Sequence, residues 1–137
     1  MADELLLDTG AFVALVDRDE TLHGDCVAAL EKWSGPVATT EAVLTETLYL
    51  VGPQWRAQKN CLEFILRGAF HLVPSSAKSL DRVAVLMDRY RNVPMDFADA
   101  TLVALAEELE TDWVFTLDRR GFSTYRMNRN RSFQIIP

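Results

Sequence analysis

Six positions in this chain carry side chains whose types and spacing could do chemistry together: Asp8, Glu46, Asp96, Asp99, Thr116 and Asp118. Asp8 directly follows Leu5-Leu6-Leu7 and precedes a Thr-Gly step into an apolar run. Asp118 ends the run Trp113-Val114-Phe115-Thr116-Leu117 and is followed by Arg119-Arg120-Gly121. Both acids stand where a buried strand would end, the edge at which open α/β sheets bind ligands. Thr116, two residues before Asp118, shares its side of the strand. Asp96 and Asp99 open a periodic helical segment. Glu46 lies within a helical segment, on one face with Val43 and Leu50. If that face is buried, its carboxylate needs a partner or a metal.

Each acid also has an ordinary structural account. Asp8, Asp96 and Asp118 would serve as helix N-caps, Asp99 would sit at the positive end of a helix dipole, and Glu46 would be a surface glutamate. Taken singly, the residues leave both accounts open; the set is more informative. Two carboxylates about 4 Å apart repel by about 4 kcal/mol at an effective dielectric of about 20. Three or four at one sheet edge would destabilise the fold unless protonated or bridged by a cation. A set of oxygen donors without His or Cys favours Mg²⁺ or Mn²⁺, and such a cage can activate water and hold a nucleic-acid phosphate. Cys26, Cys61, His23 and His71 are mutually isolated in sequence. A zinc site is therefore not expected, and the cysteines should be buried free thiols.

The elements that must position these groups alternate between strand and helix patterns. After Leu5–Leu7 and an apolar helix, Thr21 to Trp33 reads as a helix and Val37-Ala38-Thr39 as a short strand. Thr40 caps a helix reaching about Val51, and Gln54 to Arg67 forms another. Phe70 to Val73 is a strand, and Ser75 or Ser76 caps a helix reaching about Arg91. Asp96 to Glu110 is a helix, Trp113 to Leu117 a strand, and Phe133 to Ile136 a last strand. This alternation implies a parallel sheet covered on both faces.

A chain of 137 residues fits one domain, here 1–137, with a sizeable core. Hydrophobic residues at 49% argue against disorder, and no apolar run approaches the ~20 residues of a membrane span. Met1-Ala2-Asp3-Glu4 carries acids where a signal peptide carries basic residues. The expectation is a soluble, cytoplasmic protein. A net charge of −6 argues against binding nucleic acid through the whole surface. Yet Arg119, Arg120, Arg126, Arg129 and Arg131 fall in a stretch without an acid. That stretch is either a phosphate-contacting surface or a solvated loop.

Four pieces, in this order and spacing, resemble the PIN domain family: Leu-Leu-Leu-Asp8-Thr-Gly-Ala-Phe-Val-Ala-Leu, Thr-Glu-Ala-Val-Leu-Thr-Glu46, Met-Asp96-Phe-Ala-Asp99-Ala-Thr-Leu-Val-Ala-Leu-Ala-Glu, and Phe-Thr116-Leu-Asp118-Arg-Arg-Gly-Phe. The resemblance implies a three-layer α/β/α sandwich around a central, mostly parallel twisted sheet. It implies a metal-dependent ribonuclease site, with Asp8, Glu46, Asp99 and Asp118 on the family's acidic positions and Mg²⁺ or Mn²⁺ as the ion. Thr116 falls on the family's Ser/Thr position, and Asp96 on an extra acid found in part of it. Arg119, Arg120 and Arg126 would contact the RNA backbone. Many single-domain members of this size are toxins of VapBC-type toxin–antitoxin pairs, so an antitoxin partner and a homodimer are expected.

Other acidic α/β sites fit less well. A haloacid-dehalogenase-type phosphatase needs a second Asp two residues after the first, where this chain has Gly10. A receiver domain pairs acids after its first strand, whereas Asp3-Glu4 precede it here. The remaining alternative is a catalytically silent module that grips RNA or protein and keeps the acids as a cation-stabilised scaffold.

Overall fold

The computed structural model describes residues 3–137; Met1 and Ala2, counted above in the domain and its N-terminal charge pattern, lie outside them. The described residues form one five-stranded sheet and seven α-helices in an α/β/α arrangement. The sheet is all-parallel, in the order β3-β2-β1-β4-β5. Its strands are β1 (Leu5–Leu7), β2 (Val37–Thr40), β3 (His71–Val73), β4 (Trp113–Phe115) and β5 (Gln134–Ile136). The helices are α1 (Thr9–Val16), α2 (His23–Lys32), α3 (Glu41–Leu50), α4 (Trp55–Leu66), α5 (Ala77–Arg89), α6 (Phe97–Leu109) and α7 (Arg119–Thr124).

The triple leucine becomes the central strand because an unbroken apolar run suits a strand covered on both faces. Leu5, Leu6 and Leu7 are all fully buried, with Leu6 in register with Ala38 on one side and Val114 on the other. The chain lays β2 and β3 to one side of β1, then crosses over and lays β4 and β5 on the other. The order therefore reverses between β1 and β4. At such a switch point the two flanking connections leave in opposite directions and open a crevice at the carboxyl edge. Asp8 and Thr116 follow the two strands that flank it.

Helix α6 supplies the third wall. Ala98 and every residue from Ala100 to Ala106 are buried, so it is an interior helix with little exposed surface. Its alanines let it approach β1, β2, α3 and α5 closely. At its start, Met95 is buried and Asp96 caps the first turn. Across the sheet, Phe12, Phe64 and Phe70 form an edge-to-face and stacked cluster that fixes α1 against α4 and the approach to β3.

Most expected elements form within a residue or two. Thr40 caps α3 and Ser76, rather than Ser75, caps α5 in a reciprocal box with Ser79. Cys26 and Cys61 are buried free thiols, and burial pushes the Cys61 thiol up to about 11. Strand β4 stops at Phe115, short of Leu117, because the chain turns there: the Thr116 hydroxyl accepts from the Asp118 amide at 2.9 Å. The arginine-rich stretch is not a continuous loop. It begins with α7, capped by Asp118 and anchored by fully buried Phe122. No helix among the described residues is long and apolar enough to cross a membrane.

Candidate active site

Asp8 leaves the end of β1 and faces the crevice, only 6% exposed. Oδ1 accepts from the Thr9 amide at 2.8 Å, at the start of α1. Oδ2 accepts from the Thr116 hydroxyl at 2.6 Å. Capping and site roles thus fall on different oxygens of one carboxylate. Burial raises its pKa from 3.8 to about 6; the bonds from Thr116 and Thr9 offset part of that rise, and the charges of Asp118 and Asp96 add to it. Thr116 is itself 1% exposed. By donating to Asp8 and accepting from the Asp118 amide, it ties the two strand-end acids to one hydroxyl.

Asp96 and Asp99 form a reciprocal cap at the start of α6. The Asp99 amide donates to Asp96 Oδ1 at 2.8 Å, and the Asp96 amide to Asp99 Oδ2 at 3.4 Å. Asp99 Oδ2 also accepts from the Tyr125 hydroxyl at 3.0 Å. Burial first, then the charges of Asp96 and Asp8, push Asp99 up to about 7. Asp96 is exposed and Asp99 half-buried, so Asp99 points further into the protein.

Asp118 is exposed and caps α7 through Oδ1, which accepts from the Gly121 amide at 3.0 Å. Gly121 is required by this close approach: a Cβ there would lie 2.4 Å from Asp118 Oδ2 and 3.1 Å from the Tyr125 hydroxyl oxygen. Asp8, Asp96, Asp99 and Asp118 therefore belong to one electrostatic neighbourhood, each raising the pKa of another acid or of Tyr125.

Glu46 stands differently. The buried positions of α3 are Val43 and Thr47, and Leu50 is 56% exposed. The face expected from Val43, Glu46 and Leu50 is therefore not the buried one. The helix turns its Val43–Thr47 stripe inward, and Glu46 flanks it, half-buried. Its charge is not among those that shift Asp8 or Asp99. Among the described residues, no three Asp, Glu, His or Cys side chains stand close enough, as placed, to enclose an ion.

The arginines are partly occupied by the protein itself. Arg119 donates to the Pro137 carbonyl, and Arg126 donates to the carbonyls of Ser123, Thr124 and Tyr125. Arg131 pairs with Asp112 at 3.0 Å, while Arg120 is exposed. Two site residues escaped the sequence reading: Tyr125, buried and bonded to Asp99, and Gly121, which makes room for Asp118. An Asp-x-x-Gly spacing could have signalled the second. The first depends on α7 folding back over α6, which no local pattern encodes.

This arrangement is a set of under-compensated carboxylates with one hydroxyl bridge. It can attract a hard cation and, through it, an anionic oxygen. The profile of the PIN domain family matches residues 5–127. Ribonuclease VapC26 of Mycobacterium tuberculosis is 28% identical over 135 residues, covering 97% of this chain and all of the relative. Among solved structures, the sarcin–ricin-loop-cleaving toxin VapC20 of M. tuberculosis superposes with a TM-score of 0.79 at 18% identity, over 88% of this chain and 95% of that one. A toxin–antitoxin complex from Klebsiella pneumoniae matches with a TM-score of 0.68 at 19% identity, over 88% and 91%. VapBC2 of Rickettsia felis, bound to a promoter DNA fragment, gives 0.70 at 16%, over 98% and 99%. Family profile, strand order and the placing of the acids at the switch point agree: the chain belongs to the PIN domain family.

Proposed function

We propose that this chain is a metal-dependent endoribonuclease and the toxin of a toxin–antitoxin pair. The observation that carries the reading is the pairing of Asp8 with Thr116 beside Asp99 and Asp118. Two of these carboxylates are held well above their ordinary pKa with no cationic side chain to offset them. That donor set suits Mg²⁺ or Mn²⁺. Asp8, Asp99 and Asp118 would hold the ion, with Glu46 and Asp96 as outer ligands, directly or through water. The helix caps use Asp118 Oδ1 and Asp96 Oδ1, which leaves the second oxygen of each available. When bound, a divalent cation lowers the pKa of water and offsets charge on the phosphodiester.

The chain's own residues supply the order. Thr116 fixes the rotamer of Asp8, and Tyr125 that of Asp99. The rigid β1 strand sets where Asp8 stands. Arg119, Arg120 and Arg126 are offered to the RNA backbone, Arg120 with the least competition from the protein. The relatives' description as ribonuclease and toxin, and the antitoxin complexes among the similar folds, support the same reading. The exposed apolar residues Tyr49, Leu50 and Trp55 at the α3–α4 turn would be covered by a second copy in a homodimer.

Purified protein incubated with total RNA should cleave in Mn²⁺ or Mg²⁺ and not in EDTA, and Asp8→Asn should be inactive though folded. Cleavage that persists in EDTA or in Asp8→Asn sinks the proposal. RNA binding without cleavage in either metal would favour the silent binding module.

A further inference from the structure

A cavity of about 860 Å³ runs beside α2 from Trp113, at the start of β4, to Thr116, Leu117 and Arg119 beyond its end and to the end of β5. Trp33 and Trp113 form one wall, their rings 5.4 Å apart and inclined at 59°. Both are half-buried, so each hides part of its ring and offers the rest to the cavity. Ala28, on an exposed turn of α2, also lines the cavity and adds only a methyl group to it. Lys32 and Arg119 outnumber the rim's one acid, Asp25. The cavity also reaches Thr116, the residue whose hydroxyl holds Asp8 Oδ2. One threonine is therefore a wall of the aromatic cavity and a hydrogen-bond donor to the candidate catalytic carboxylate.

A mainly apolar cavity of this size with a few polar groups is the ordinary form of a small-ligand site. Its features select among ligands. Tryptophan faces favour a flat aromatic group, and two rim cations favour one attached to a phosphate. Arg119 lines the cavity and directly follows Asp118, so a phosphate held by it would lie at the sheet edge that carries the acids. We propose that this cavity is a nucleobase subsite, which takes one unpaired base of the RNA next to the phosphodiester presented to the carboxylates. The inference rests on the ribonuclease reading and deepens it. A base in a single-stranded or looped segment would enter most readily, because drawing one out of a duplex costs the free energy of unpairing and unstacking.

The test reads binding apart from cleavage. Trp55 is the third tryptophan and lies on α4, outside this cavity, so Trp55→Phe leaves only Trp33 and Trp113 to report. A short unstructured oligoribonucleotide and an abasic oligomer of equal length are each titrated in EDTA at low salt. The base-bearing strand should quench the fluorescence and bind on the order of tenfold tighter, the worth of one stacked base. Ala28→Leu, which fills the cavity from an exposed helix position, and Trp33→Leu should remove that advantage in polarisation measurements while thermal unfolding of Ala28→Leu is unchanged. Equal quenching by the abasic oligomer, or wild-type RNA affinity in Ala28→Leu, overturns the inference. So does an Ala28→Leu protein that keeps RNA affinity and loses only a protein partner. Cleavage without base-dependent quenching refutes the subsite alone; base-dependent quenching without metal-dependent cleavage refutes the ribonuclease reading alone.

Discussion

Asp8→Asn should stabilise the metal-free protein at neutral pH while destroying its response to metal. Burial lifts the Asp8 pKa from 3.8 to about 6. A carboxyl whose folded pKa lies above its unfolded value adds stability that is fully present below the unfolded pKa. That stability is lost as pH rises through the folded one. For Asp8 the window runs from about 4 to about 6, and the rise is worth about 3 kcal/mol. Asp99, raised to about 7, extends the same fall toward neutrality. Asparagine carries no charge to desolvate, and its carbonyl can still accept from the Thr9 amide. It cannot accept the Thr116 hydroxyl with its amide nitrogen, and losing that bond costs about 1 kcal/mol. The net expectation is a gain of about 2 kcal/mol at pH 7.5, shrinking to nothing or reversing at pH 4. Urea unfolding of both proteins in EDTA across that range measures it. Added Mn²⁺ should stabilise the wild type by mass action and leave the variant nearly unmoved. If the variant is less stable than the wild type at pH 7.5 in EDTA, the carboxylates are not electrostatically strained and the argument for a cation fails.

Three further substitutions separate the supporting contacts. Thr116→Val keeps the shape but leaves Asp8 Oδ2 and the Asp118 amide without their shared partner; a loss of about 1–3 kcal/mol by chemical denaturation is expected, with cleavage reduced more than RNA affinity. Gly121→Ala puts a methyl group against Asp118 Oδ2, so the carboxylate must move, and metal-dependent cleavage should fall at least tenfold while far-UV circular dichroism stays native. Glu107→Ala removes the acceptor for both Arg82 and the Asn128 amide. With Glu107 10% and Arg82 29% exposed, unfolding should show a cost of about 2–3 kcal/mol.

What could be read from sequence follows from the range of the interactions responsible. Leu5–Leu7 with Asp8 was legible because a strand buried on both faces has no polar positions and its end is marked by the first acid. The caps of α6 and α5, Asp96 and one of Ser75 and Ser76, were legible because a cap is a contact between residues three apart. Helix α7 was not, since six residues are too few for a periodic stripe. It is held by its Asp118 cap and by the packing of Phe122 on Phe133 and Tyr125. Glu46 shows the opposite error. Spacing identified three residues on one face correctly, but which face turns inward is decided by α1 and α6, against which α3 packs. The residues so buried are Val43 and Thr47.

The same reasoning explains why the site is assembled from both ends of the chain. Asp8 and Thr116 are 108 residues apart and meet because β1 and β4 are neighbours. Tyr125 reaches Asp99 only after α7 has turned the chain back. Folding thus buries Asp8 and Asp99 and, to a lesser degree, gathers like charges beside them, and the cost falls on the completed sheet edge rather than on any one element. A fold selected for stability alone would replace at least one of these acids. Keeping Asp8 and Asp99 above their ordinary pKa, with Asp96 and Asp118 adding to the rise, is what the proposed cation would offset. On the proposed reading, Thr116, Gly121 and Tyr125 then share one purpose: each helps to fix where a carboxylate stands, and a bound cation would relieve the cost of keeping those carboxylates charged.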